Sequence, residues 1–155
     1  MSTEQGSVSN KEGNEQLGEQ NENQQYAALP GIANEDGFRK LRVWKRGMDL
    51  VMRVYDLCED MPPCEKYGLS AQMKDAAVSM PSNIAEGCAG GTIGLFLRHV
   101  RVACASAAEL ETQLLIVRHR QFIAPDVVNH LLKSLLRLRK GLFALRNYLR
   151  DHPDR

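Results

Sequence analysis

The sequence predicts an all-α fold: an antiparallel, up-and-down four-helix bundle behind a disordered N-terminal tail. Three observations predict it. From Phe38 onward apolar residues recur at spacings of three and four, and Pro62-Pro63, Gly90-Gly91 and Ala124-Pro125 divide that pattern into four blocks. No strand signal of comparable quality occurs anywhere. Residues 1–36 differ sharply in composition: ten are Asn or Gln, and Tyr26 is the only aromatic. Such a segment buries too little apolar area to offset its ordering entropy. The boundaries are therefore a tail over 1–36 and a bundle domain over 38–151.

The first helix carries two adjacent stripes. One is Leu41, Trp44, Met48, Val51, Tyr55 and Cys58; the other is Val43, Leu50, Val54, Leu57 and Met61, interrupted by Gly47. Pro62-Pro63 stops it. The second helix begins near Gly68 or Ser70 and turns Leu69, Met73, Ala76, Met80 and Ile84 inward. Gly87 is placed as the glycine that ends it in the left-handed conformation. Thr92 caps the third helix, which carries Phe96, Val100, Ala103, Ala107, Leu110, Leu114 and Val117 in heptad register. Its small middle, Ala103 to Ala108, predicts crowding from several sides. Pro125 opens the fourth helix, where Val128, Leu131, Leu135, Leu138, Leu142, Leu145 and Leu149 alternate without a break.

Charge is divided between the two units. Residues 1–36 hold seven carboxylates against Lys11 alone, a net of −6; the remainder holds 19 Lys/Arg against 12 Asp/Glu, a net of +7. The plainer reading of the tail is an extension without function; the other is a screen for the basic domain that competes with a nucleic acid. Cys58, Cys64, Cys88 and Cys104 form no C-x-x-C pair and no zinc spacing, and three of them read as small buried hydrophobes. The N-terminus lacks the pattern of a secretory signal, and no aliphatic run is long enough to span a bilayer. A soluble, reduced, cytoplasmic protein is expected, with no cofactor and no metal.

Catalytic patterns are missing. A di-metal bundle needs Glu-x-x-His pairs, yet Ala89, Thr112 and Leu114 stand three residues after Glu86, Glu109 and Glu111. No phosphate loop or nucleophile elbow occurs, so no catalytic residue is assigned. Asn83, Glu86, Glu109 and Glu111 read either as a hydrogen-bonded cluster between the second and third helices or as a solvated face. Pro81 removes a backbone donor, which Ser79 or Asn83 is placed to compensate. The candidate nucleic-acid contacts are Arg118, Arg120, Lys133, Arg137, Arg139, Lys140, Arg146 and Arg150, against Asp126 alone between 118 and 150. Lys133, Arg137 and Lys140 share one helical face. The opposing reading is an ordinary solvated helix face.

Four segments in order carry a family resemblance: Val43-Trp44-Lys45, Gly68-Leu69-Ser70-Ala71-Gln72-Met73, Ser79-Met80-Pro81-Ser82-Asn83-Ile84-Ala85-Glu86-Gly87 and Ala108-Glu109-Leu110-Glu111-Thr112-Gln113-Leu114. Over residues 38–150 the chain resembles the bacterial four-helix-bundle family first described from intervening sequences within 23S ribosomal RNA genes. The resemblance implies a homo-oligomeric ring, a pentamer, with no enzymatic activity. It also implies distant kinship to the accessory bundle protein of diversity-generating retroelements, which binds nucleic acid and a reverse transcriptase. Partners expected on this basis are further copies of the chain, rRNA or another nucleic acid, or a protein. The segment from Pro81 through Ser82, Asn83, Ile84, Ala85 and Glu86 to Gly87, with Glu109 and Glu111, is expected to be structural.

Overall fold

The computed structural model describes residues 37–153; the tail expected over 1–36 lies outside the described residues. A helical turn, Gly37–Lys40, leads into α1 (Arg42–Glu59), α2 (Leu69–Ala89), α3 (Ile93–Arg120) and α4 (Pro125–Asp151), and a 3-10 turn, Pro63–Glu65, lies between α1 and α2. Each helix packs on its neighbours in sequence, and α4 closes the bundle against α1. No strand occurs among the described residues.

The first helix begins later than its periodicity suggests. Leu41 is extended (φ −68°, ψ 123°) and interrupts the helical run begun by Gly37–Lys40. That break directs the Leu41 side chain into the core, where it is buried. Of the two stripes on α1, Val43, Leu50, Val54 and Leu57 face inward, joined by Val51 and Cys58. Met48 and Tyr55 remain 38% and 40% exposed, and Trp44 is half-buried. The physical reason is geometric: α1 has two neighbours, and the outer edge of so wide an apolar arc finds neither.

α2 continues through Pro81. The proline ring fits a space opened by Gly47 of α1, where an added Cβ would lie 3.4 Å from Pro81 Cβ. Gly87 does not end this helix, which runs to Ala89; the left-handed glycine is Gly91 (φ 77°) in the α2–α3 loop. Gly87 is required by packing instead. A Cβ there would sit 2.6 Å from Phe96 Cδ2 and 2.8 Å from His99 Cβ, so the missing side chain lets α3 approach.

Sequence and structure agree closely on α3 and α4. Thr92 accepts the Leu95 amide at 3.2 Å as an N-cap, and Pro125 occupies the first turn of α4. All seven heptad residues of α3 and all seven of α4 are buried. At about 1.5–3 kcal/mol for each large aliphatic side chain, these two helices supply much of the burial energy. The small middle of α3 is crowded toward α2 and α4 only: Ala103, Ser106 and Ala107 are buried, while Ala105 and Ala108 are exposed.

Candidate nucleic-acid interface

The α1–α4 seam is set by two antiparallel contacts. A Cβ on Gly141 would lie 3.6 Å from Val43 and 3.7 Å from Arg46 Nη1. Further along, Arg53 Nη1 donates to Ser134 Oγ at 2.7 Å, and that hydroxyl donates to the His130 carbonyl. Helical periodicity then places Arg42, Arg46 and Arg53 in one row on α1. Lys133, Arg137 and Lys140 form the facing row on α4, one residue before the contact positions. With Lys45, the groove between the two rows, from Arg42 to Asp56 on α1 and from Lys133 to Lys140 on α4, holds seven cations against Asp49 and Asp56, and Asp60 and Asp126 continue the rows beyond it.

The other candidate cations point elsewhere. Arg139 is ion-paired with Glu111 of α3, and Arg118 donates to Asn129 at 3.2 Å; both belong to the α3–α4 side. Arg146 lies 4.2 Å over the Phe143 ring. Arg120 sits over Phe122 beyond the end of α3. Arg150 pairs with its neighbour Asp151, whose carboxyl is held below its ordinary range mainly by that hydrogen bond. The eight candidates are therefore not one surface; Lys133, Arg137 and Lys140 alone share the α1 side. Sequence reasoning missed Arg42, Lys45, Arg46 and Arg53. A signal was present, since residues 39–46 contain five cations and no carboxylate.

On the α2–α3 seam the family motif forms a directed hydrogen-bond chain. Asn83 Nδ2 donates to the Ser79 carbonyl at 2.8 Å and to Ser79 Oγ at 3.2 Å. Ser79 Oγ lies 2.8 Å from Ser106 Oγ, whose own proton goes to the Val102 carbonyl. Ser79 is therefore the donor in that pair. Asn83 Oδ1 accepts from His99 Nδ1 at 3.0 Å, and Glu86 stands 3.5 Å from the same nitrogen. The Ser79 hydroxyl is directed at another serine rather than at His99, so no nucleophile–base pair exists here. The carbonyl that Pro81 cannot serve belongs to Ala77, whereas Asn83 bonds Ser79; compensation at the proline is not what Asn83 supplies.

Asn83, Glu86, Glu109 and Glu111 do not form one cluster. Asn83 is half-buried in the seam and Glu86 is exposed at its edge. Glu109 accepts from Gln113 on its own helix, and Glu111 faces α4. Ser82 and Ala85 are half-buried, whereas Ile84 is fully buried in the core. Among the described residues, no group of three His, Cys, Asp or Glu side chains is placed to hold a metal ion, and no helix is long and apolar enough to cross a membrane. Cys58 and Cys88 are buried, Cys104 is half-buried and Cys64 is exposed. Burial pushes the thiols of Cys58, Cys88 and Cys104 up, with Arg146 and Arg139 partly opposing this at Cys104.

Bundle and seams together define an all-helical, up-and-down bundle protein with cationic side chains along its α1–α4 seam. Residues 39–144 match the family described as 23S rRNA-intervening sequence protein, and the chain belongs to that family. A solved structure from Bacteroides thetaiotaomicron VPI-5482, a protein of unknown function from the S23 ribosomal protein family, is similar in fold. It has a TM-score of 0.63 at 17% identity, over 67% of this chain and 97% of that one. No curated protein matches the chain.

Proposed function

We propose that the protein is a non-enzymatic, cytoplasmic homo-oligomer that binds structured RNA or a ribonucleoprotein through the α1–α4 groove. The observation that carries this reading is the pair of facing cationic rows, Arg42, Arg46 and Arg53 against Lys133, Arg137 and Lys140. Cations spaced along two parallel rods suit a phosphate backbone and carry little base information. Membership of a family named for 23S rRNA intervening sequences supports a ribosomal RNA context.

Self-association is supported by the exposed apolar residues. Met48, Met52 and Tyr55 of α1 with Val78 of α2 lie on one side, and Leu115 of α3 with Leu136 and Phe143 of α4 lie on the opposite side. Two unlike patches on opposite faces suit head-to-tail association, which closes into a ring when the rotation permits. A pentamer is the size we assign. The same exposed apolar patches favour a second reading, a scaffold or accessory subunit that docks a protein such as a reverse transcriptase.

The test is fluorescence anisotropy on a structured rRNA fragment between 50 and 300 mM salt. Each lost phosphate contact lowers the salt slope by about 0.9, so K133A/R137A/K140A should flatten it by about 2–3 units. Arg146→Ala, on the other side of α4, should leave it unchanged. An unaltered slope in the triple variant removes RNA binding by this groove; docking of a protein with RNA absent favours the scaffold.

A further inference from the structure

We propose that the acidic segment 1–36 is a ligand of the α1–α4 groove in its own chain, competing there with RNA. The proposal rests on the groove's reading as a polyanion site and assigns its regulation. Charge complementarity carries it: the segment has a net charge of −6, and the groove presents seven cations against two carboxylates. Attachment carries it further. Glu35 and Asp36 directly precede Gly37, the start of the turn that bears Arg39 and Lys40 and leads to Arg42, Lys45 and Arg46. That turn packs on α1 and α2 and not on α4, so the segment is tethered beside the N-terminal end of α1 and reaches the groove by its length.

Reach is sufficient for this. From Lys133 to Lys140 the α4 row spans about 10 Å at 1.5 Å per residue, and α1 from Arg42 to Arg53 about 17 Å. A chain reaches at most about 3.3–3.6 Å per residue, so Glu22 and Glu19 have ample length to reach both rows. Covalent linkage holds such groups at an effective concentration of millimolar order. Against a weak polyanion constant of about 10⁻⁴ M, this reduces apparent RNA affinity about tenfold at low salt.

Two arms on the full-length chain test this. In the first, a carbodiimide couples carboxylates to neighbouring lysine amines with RNA absent. The expected links join residues 4–36 to Lys45, Lys133 and Lys140 at 50 mM salt, within single chains of a mixed ¹⁴N/¹⁵N sample, and vanish at 500 mM. In the second, the variant E4Q/E12Q/E15Q/E19Q/E22Q/E35Q/D36N is titrated against the same structured rRNA fragment. It should bind about tenfold tighter than the parent at 50 mM salt, with the difference closing as salt rises. Absent links, links spread equally to Lys66 and Lys74, links mainly between copies, or equal affinity of the two proteins for RNA overturn the proposal. Groove links with no RNA binding by either protein overturn the RNA reading and leave segment docking standing.

Discussion

Replacing Gly87 by alanine probes the contact that brings α2 against α3. The new Cβ would lie 2.6 Å from Phe96 Cδ2, 2.8 Å from His99 Cβ and 3.2 Å from Phe96 Cα. Ordinary carbon contacts need about 3.5–4.0 Å, so the obstruction approaches 1 Å. Phe96 is fully buried and cannot swing aside, and the His99 Cβ and Phe96 Cα move only with their helix. Relief requires α3 to retreat from α2. Overpacking of this kind costs about 1–3 kcal/mol or more, against which alanine returns about 1 kcal/mol of helix propensity. Three obstructions, two of them rigid, place the site at the upper end, a net loss of about 1.5–3 kcal/mol. In a domain of this size that lowers the melting temperature by about 6–15 °C, read by circular dichroism at 222 nm. Gly94→Ala is the control, because nothing lies within 4 Å of a Cβ there, and its melting point should hold or rise. A Gly87→Ala protein as stable as the parent would refute close approach as the reason for this glycine.

Further outcomes follow from the other seams. Asn83→Ala removes the donor to Ser79 and the acceptor for His99, and should cost about 1–2.5 kcal/mol in urea unfolding, whereas exposed Glu86→Ala should cost much less. Equal losses in the two variants would contradict the placement of Asn83 inside the seam and Glu86 at its edge. Gln121 ends α3 in the left-handed region (φ 56°), so Gln121→Gly should stabilise by up to about 1 kcal/mol in thermal melts. Burial raises the thiols of Cys58, Cys88 and Cys104 in the folded protein, so the unfolded chain ionises first as pH rises. Stability from these groups is complete below the unfolded thiol range near 8.5 and is lost as pH climbs through the raised folded values. The urea midpoint should fall as pH rises above about 8.5, and a midpoint that rises there would contradict the burial assignment.

The bundle was legible because its signal is local and redundant. Fourteen heptad positions on α3 and α4 carry one period, and Thr92 and Pro125 mark helix starts with side chains that have few other uses. Gly87 was misread for a definite reason. A glycine near a helix end has two physical uses, a left-handed turn and a close approach, and local sequence does not distinguish them. The distinction is made by Phe96 and His99, which arrive from another helix. The basic groove was half-legible: the row on α4 shows in its own periodicity, but its partner row on α1 depends on the packing of Arg46 beside Gly141 and Arg53 on Ser134. Conversely, the neutralisation of Arg139 by Glu111 spans 28 residues and no periodicity reveals it.

Light scattering with the 260/280 nm absorbance ratio, on protein purified at low salt, tests the central claim most directly. A multimeric mass with a nucleic-acid ratio that drops to a protein ratio in high salt is the result expected of a ring with cationic α1–α4 grooves. A monomer mass with a protein ratio at every salt concentration would contradict it.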